Sequence, residues 1–291
     1  MEKTPGSPPL KAGPAVWVGP QWQGRVDWIV RLEGSDLEEI EAAAAAWPRH
    51  AHGLAGPLQA SDFPLTNLGP RLAAMRDELE HGRGFSMIKG LPVKRWRRTA
   101  SIFAGLGLLA HLGRMAEAQP ACGPMQRPAG CDAVGLLCLS ELRPVGPVRL
   151  ASVGAVFQRM RAEYPEQAAL LCRPLPVSSV ASPGWALAPM FVRELGEVVS
   201  PVWRAAIDQA QAELLAPRLS AAQQEALATY DRLAAQAGVG LALRLDPGDL
   251  LCAHTRRLRV DHDPLDHEPA ASDHGPLLRR HLALADVVYL D

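Results

Sequence analysis

The stretch Asp132-Ala133-Val134-Gly135-Leu136-Leu137-Cys138-Leu139 decides how the rest of this chain is interpreted. This apolar run, bounded by an acidic residue, is strand-like. Around it lie further strand signals. Phe85 to Ile88 follows a Gly-Arg-Gly break, and Leu241, Leu243 and Leu245 alternate with other residues before the turn Asp246-Pro247-Gly248-Asp249.

Helical patterns flank these strands. Apolar residues recur at helical spacing after Ser35, and Ser35 with Glu38 predicts a capping box, in which the side chains bind free backbone N–H groups. A second capping box is predicted at Ser220 and Gln223. A final strand is predicted across His281 to Leu290.

The bulk composition favours a globular protein. The chain has 291 residues, 48% of them hydrophobic, and a formal net charge of -1. Near-neutral charge argues against nucleic acid as a partner, because phosphate binding requires a basic surface. The odd count of five cysteines favours a reducing, cytoplasmic location, and no apolar run is long enough for a membrane span. We expect a flexible tail at residues 1–14 and a single domain at residues 15–291.

Four segments together resemble the taurine dioxygenase-like (TauD/TfdA, clavaminate synthase-like) Fe(II)/2-oxoglutarate oxygenases. In chain order they are Trp17 with Asp27-Trp28-Ile29, Gly82 to Val93, Val134 to Leu139, and Pro247 to Leu250. The resemblance extends over most of the chain. It implies an α+β fold whose core is a double-stranded β-helix, or jelly roll, with flanking helices.

The same resemblance places the family's ligand positions on residues of other chemistry. Arg127 and Ala129 stand where the first His and the acid bind iron, and Val260 stands near the distal His, which a slip of two residues would move to His262. Leu284 stands at the position of the Arg that binds 2-oxoglutarate. Arg and Ala offer no lone pair to a metal. We therefore expect a divergent member that has lost Fe(II) and 2-oxoglutarate, with no cofactor.

The resemblance also places Arg127, Asp132, His254 and Arg256 near the former iron pocket. His254 is the most interesting of them, because it lies on the distal strand and can either donate hydrogen bonds or act as a base. A relocated metal site within residues 254–274 is the alternative, with His254, His262 and His267 as its weakly supported ligands. The prolines of this segment favour a solvated loop instead.

These features lead to an expected function and two alternatives. The first expectation is a degenerate binding or scaffolding subunit, without oxygenase activity, in small-metabolite or natural-product biosynthesis. It would form a homodimer, or a heterodimer with an active paralogue, and would bind neither membrane nor nucleic acid, with a small molecule as a possible ligand. The alternatives are a metal-free cyclase, isomerase or lyase that reuses the old pocket, and an oxygenase with relocated metal ligands.

Overall fold

The described part of the chain contains two larger β-sheets, two β-hairpins and seven α-helices. The computed structural model describes residues 13–46, 58–116, 130–139, 146–178, 184–261 and 277–284. The helices are α1 Gly34–Ala46, α2 Gly69–Glu80, α3 Arg98–Leu112, α4 Val153–Glu163, α5 Pro165–Leu171, α6 Arg204–Ala212 and α7 Ala221–Ala235, with short 3-10 turns at Gly19–Gln21 and Ala60–Asp62. The strands are β1 Ile29–Arg31, β2 Phe85–Lys89, β3 Arg114–Met115, β4 Ala133–Cys138, β5 Val148–Ser152, β6 Pro174–Ser178, β7 Trp185–Pro189, β8 Val192–Glu194, β9 Glu197–Val199, β10 Leu241–Leu243, β11 Leu250–His254, β12 Leu258–Asp261 and β13 Leu277–Ala283.

The larger sheet has six strands in the order β1-β2-β11-β4-β13-β3. Its pairs are antiparallel except for β1 and β2, which are parallel. The predicted strand after Asp132 is confirmed as β4, and all six of its residues are buried. Because β4 is central, both of its faces are covered, which explains why its sequence is continuously apolar rather than alternating.

The smaller sheet has three strands in the order β10-β5-β12. Alternate residues of both sheets enter one buried cluster, which therefore lies between the sheets. From the larger sheet these are Phe85, Met87, Val134, Leu136, Cys138, Leu251 and Ala253; from the smaller sheet they are Val148, Leu150, Leu241, Leu243, Leu258 and Val260. We call this space the inter-sheet core.

Helices α1, α2 and α3 cover the other face of the larger sheet. Ile88, Leu137 and Leu250 enter this second cluster together with residues of the helices. Close approach of α3 depends on Gly135 in the middle of β4, because a Cβ there would lie 2.4 Å from the side chain of Leu109. The apolar side chains of β4 thus pack into two different hydrophobic cores.

A third cluster joins α4, α5 and α7 to the hairpin of β6 and β7. The capping box predicted at Ser220 is confirmed there: Ser220 accepts from the backbone N–H of Gln223, whose side chain accepts from the backbone of Ser220. The box predicted at Ser35 is wrong. The carboxylate of Asp36 accepts the backbone N–H of Glu33 instead (2.9 Å), because α1 begins at Gly34.

The turn before β11 has the conformation that its sequence predicts. Gly248 adopts φ +91°, and a Cβ there would lie 2.0 Å from the carbonyl oxygen of Leu91. Only glycine fits both requirements. The last described strand begins at Leu277, four residues earlier than predicted, and residues 285–290 lie outside the described part of the chain.

The fold class is mixed α and β, as expected. Among the described residues, no helix is long and apolar enough to cross a bilayer. The single domain at residues 15–291 stays a prediction, and residues 1–12 of the expected tail lie outside the described part.

Candidate functional site

A cavity opens at the end of the inter-sheet core, beside β12. Its volume is about 110 Å³. Both faces of β12 contribute to its wall, together with the start of α6 and one side chain of α7. The lining residues are Val153, Met190, Ser200, Val202, Trp203, Arg204, Ala205, Tyr230, Thr255, Leu258, Arg259, Val260 and Asp261.

The turn between β11 and β12 shapes one side of this cavity. Thr255 binds the carbonyl oxygen of Asp132 twice, through its backbone N–H (2.6 Å) and its hydroxyl group (3.0 Å). These bonds attach the turn to the start of β4. The carbonyl oxygen of Arg256 accepts the N–H of Ser200 (2.7 Å), so the turn is also attached to the segment that precedes α6.

Arg257 is the strongest attachment of this turn. The residue is only 8% exposed. Its guanidinium donates to Glu197 of β9 through Nε (3.0 Å) and Nη2, and to the carbonyl oxygens of Glu80 (2.7 Å) and Gly82 (3.3 Å). One buried cation therefore connects the turn before β12 to β9 and to the end of α2.

A charged network forms the outer wall of the cavity. Arg259 pairs with Asp261 (2.6 Å) and with Asp231, which also pairs with Arg204 (3.1 Å). Burial would lower the pKa of Arg259, but Tyr230, Asp261 and Asp231 raise that pKa above its usual value. Burial raises the pKa of Tyr230 to about 12. Both groups keep their protons throughout the physiological range.

The inner wall offers fewer polar groups. The hydroxyl of Ser200 donates to the carbonyl oxygen of Val202 (2.7 Å). The indole N–H of Trp203 is buried and has no hydrogen-bond acceptor among the described residues. The Trp203 ring contacts His281 of β13 edge-on, with ring centroids 5.8 Å apart. Trp203 thus contributes one buried donor beside the cavity.

Three of the residues predicted from the resemblance lie together. His254 ends β11, and its Nδ1 accepts the backbone N–H of Arg256 (3.3 Å). The guanidinium of Arg256 lies 3.8 Å from the carboxylate of Asp132 and pairs with Glu194 of β8. These contacts join the turn to β4 and to the hairpin of β8 and β9.

The other residues predicted for the site lie in different parts of the chain. Val260 lines the cavity and offers only hydrocarbon to it. Leu284 packs in the core between the larger sheet and the helices, not in the cavity wall. The remaining residues predicted for the site lie outside the described part of the chain: Arg127, Ala129, His262 and His267. Their roles stay predictions.

Most residues of the cavity wall were not predicted from the sequence. Tyr230, Arg259 and Trp203 belong to no sequence motif. Arg279 of β13 was also missed. The sequence nevertheless contains a signal for Arg279. Arg279 and Arg280 are adjacent in β13, and neighbouring residues of a strand point to opposite faces, so one guanidinium lies on each face of the sheet.

Comparisons with known proteins identify the fold. No known protein-family profile matches the chain. The taurine hydroxylase-like protein SAT17 of Stachybotrys chartarum is 33% identical over 110 residues, which are 38% of this chain and 28% of that relative. The chain therefore matches little more than a quarter of the length of this curated relative.

Solved structures align over far more of the chain. An asparagine oxygenase in complex with Fe(II), 2S,3S-3-hydroxyasparagine and succinate aligns with a TM-score of 0.59 at 18% identity, over 88% of this chain and 93% of that chain. The non-heme iron oxygenase OrfP in complex with Fe and α-ketoglutaric acid aligns with a TM-score of 0.55 at 13% identity, over 89% of this chain and 94% of that chain. At these identities the likeness is one of fold.

Two expectations are corrected by these comparisons. The prediction of a degenerate binding or scaffolding subunit is wrong, because the proteins that share the fold are oxygenases. The prediction that no cofactor is used is wrong as well, since this fold holds Fe(II), succinate and α-ketoglutaric acid in those proteins. Both predictions relied on single aligned positions, of which Arg127 and Ala129 lie outside the described residues.

A protein site for iron needs several His or carboxylate side chains close together. They contain no group of three His, Cys, Asp or Glu side chains placed to hold a metal ion. The cavity wall itself provides one carboxylate, Asp261, which already pairs with Arg259. The described side chains therefore do not fit an iron site by themselves, and no reaction step is assigned to a metal. The solved structures agree with the four sequence segments at the level of fold, and the chain has the fold of the taurine dioxygenase-like, clavaminate synthase-like oxygenases.

Proposed function

We propose that this protein is an oxygenase that acts on a small metabolite bound in the cavity beside β12. The observation that supports this most directly is the position of Val260. By resemblance Val260 marks the distal ligand position of the family, and it lines the cavity. The proposal includes a double-stranded β-helix core, with the two sheets as its facing halves and the cavity at its open end.

The cavity dimensions favour a small substrate. A volume of about 110 Å³ equals the share of about four water molecules in the liquid. Two solved oxygenases that share the fold are complexes with 2S,3S-3-hydroxyasparagine and with (3R,4R)-dihydroxy-L-Arg. An amino acid, or a metabolite of similar size, is therefore the substrate class that we propose.

The chain's own residues bind and orient this substrate. Met190, Val153 and Val260 provide an apolar wall that excludes water, whereas Ser200 and Thr255 bring hydroxyl groups to the same wall. A pocket of mainly apolar surface with a few polar groups is typical of small-molecule sites. The paired charges of Arg259 and Asp231 stabilise the wall rather than the ligand.

A cavity-filling variant tests where the substrate binds. Ala205 lines the cavity, so Ala205→Phe should fill much of it. Ala228 is exposed on α7, and Ala228→Phe adds the same ring without touching the cavity. Purified proteins are supplied with Fe(II), 2-oxoglutarate and a panel of amino acids, and succinate formation and oxygen uptake are measured with bound metal content.

The proposal expects substrate-dependent succinate formation by the native protein and by Ala228→Phe. Activity of Ala205→Phe should fall at least about 10-fold, because the substrate loses its space. Absence of bound metal and of substrate-dependent turnover across the whole panel would refute the oxygenase proposal. Equal turnover by both phenylalanine variants would refute the placement of the site.

A further inference from the structure

Four charged side chains at the cavity beside β12 form a balanced set. Arg204, Arg259 and Asp261 line the cavity. Asp261 pairs with Arg259 at 2.6 Å, whereas Asp231 pairs with both arginines, at 3.1 Å in the case of Arg204. We call these four residues the cavity network. Its two cations and two carboxylates give it no net charge.

The pairing within the cavity network determines what a charged ligand meets. Asp261 and both arginines already have partners of opposite charge, so none of these described lining residues has a charge left for a ligand. A charged group that leaves water without a counter-ion loses binding free energy. If it separates an existing pair instead, a second charge is left uncompensated. The wall therefore disfavours anions and cations alike.

The uncharged polar groups of the wall do not compensate a charge either. The hydroxyl group of Ser200 donates to the carbonyl oxygen of Val202 (2.7 Å). The hydroxyl group of Thr255 donates to the carbonyl oxygen of Asp132 (3.0 Å). Both hydroxyls therefore offer only lone pairs to a ligand, and these accept an N–H or O–H group but repel an anion. The indole N–H of Trp203 is a single neutral donor, which does not balance a full negative charge.

We propose that the cavity network makes the protein specific for a substrate whose group inside the cavity is uncharged, such as a carboxamide, hydroxyl or hydrocarbon group. The inference rests on the proposed function, because it takes the substrate to bind in this cavity. Specificity of this kind arises because the wrong ligand loses its hydration without gaining a partner. The four network residues are thus specificity-determining residues that act by pairing with one another.

Two variants remove one negative charge from the cavity network. Asp231→Asn removes the carboxylate that pairs with both arginines, and Asp261→Asn removes the carboxylate that lines the cavity. Each leaves a net positive charge beside the cavity, so anionic ligands should gain affinity. The side chain of Asp261 is 49% exposed and that of Asp231 is 33% exposed, so Asp261→Asn should disturb folding less.

Asp208→Asn is the matched control. Asp208 also pairs with Arg204, but its side chain is 62% exposed and does not line the cavity. Water and salt screen an exposed charge much more than a partly buried one. Asp208→Asn therefore changes the net charge of the protein by the same amount as the two network variants, with little change of the field in the cavity.

Calorimetric titration of the purified full chain with pairs of amino acids tests the specificity directly. The pairs are L-asparagine and L-aspartate, L-glutamine and L-glutamate, and L-methionine and L-lysine. The members of a pair have similar size and the same backbone charges, so they differ mainly in side-chain charge. The native protein should bind the uncharged member of at least one pair at least about 10-fold more tightly than the charged member.

The variants should shift this preference in a defined direction. Asp231→Asn and Asp261→Asn should bind aspartate or glutamate at least about 5-fold more tightly than the native protein does, and lysine more weakly. Their affinity for the uncharged amino acids should change less than about 2-fold, because the shape of the cavity is kept. Asp208→Asn should change all six affinities less than about 2-fold.

Each other result has a defined meaning. Native protein that binds the charged member of every pair at least as tightly as the uncharged member, or that binds none of the six, overturns the inference. Unchanged anion affinity in the network variants that melt as cooperatively as the native protein also overturns it. So does an equal gain in Asp208→Asn, because net charge alone would then explain the shift. Charge-selective binding without turnover would instead count against the oxygenase proposal alone, whereas turnover without charge selectivity would count against this inference alone.

Discussion

The buried guanidinium of Arg257 should be one of the most sensitive single positions for stability. Arg257→Met keeps much of the side-chain length and removes every hydrogen bond of the guanidinium. The carboxylate of Glu197, which is 22% exposed, would lose its cation. The carbonyl oxygens of Glu80 and Gly82 would lose their donors as well.

The expected loss in the free energy of unfolding follows from the burial of the Arg257–Glu197 pair. Breaking a buried pair costs about 3–5 kcal/mol, and the partial exposure of Glu197 favours the lower end, so we expect about 3 kcal/mol. For a chain of 291 residues, with about 2.1 cal/mol/K of unfolding entropy per residue, that is roughly 5 °C in melting temperature. Arg25→Met is the matched control. Arg25 pairs with Asp27 at 2.6 Å, but both side chains are half exposed, and such pairs contribute about 0–1 kcal/mol.

Thermal unfolding followed by circular dichroism, with urea titration at 25 °C, measures both variants. If Arg257→Met lowered the free energy of unfolding no more than Arg25→Met does, the reasoning would be refuted, because burial would then not distinguish the two ion pairs. Adding Glu197→Gln to Arg257→Met gives a second check. The double variant should lose less than the sum of the single losses, since the partners act as one unit.

Three further outcomes are expected. Tyr230 should resist ionisation in a spectrophotometric titration until about pH 12. Because its pKa is raised in the folded protein, Tyr230 contributes roughly 3 kcal/mol to the free energy of unfolding below pH 10, and this contribution is lost as the pH rises from 10 to 12. Ionisation of all tyrosines near pH 10 would contradict this. Cys172 is exposed, whereas Cys252 is fully buried and its pKa is raised by burial. In the native protein iodoacetamide should therefore label Cys172 and not Cys252. Peptide mass spectrometry measures the labelling of both residues. Gly248→Ala should destabilise far more than Gly24→Ala, because both glycines have positive φ but only at Gly248 would a Cβ meet backbone, at 2.0 Å; equal unfolding midpoints would contradict the steric argument.

Local patterns predicted the strands and turns well. The continuous apolar run after Asp132 and the turn at Gly248 both follow from short-range physics, namely burial on two faces and a positive φ. The capping box predicted at Ser220 is confirmed as well, because it also depends only on residues that are close in sequence. At Ser35 the prediction failed, since Asp36, one residue later, is nearer to the free N–H of Glu33.

The cavity wall could not be predicted in this way. Trp203, Tyr230 and Val260 are distant in sequence and meet only through tertiary packing. Resemblance located Val260 and His254, but it could not show that Arg279 faces the inter-sheet core, because that depends on the register of β13 against β4. Register was not readable from the sequence alone.

The order of strands in the larger sheet has a consequence for biosynthesis. β2 lies beside β11, and β4 lies between β11 and β13, so the sheet joins the first third of the chain to its last fifth. A ribosome would have to release most of the chain before the central strands find their neighbours. Until then the apolar run of β4 has no partners and is exposed to aggregation. Slow refolding and dependence on chaperones at high expression levels follow from this long-range pairing.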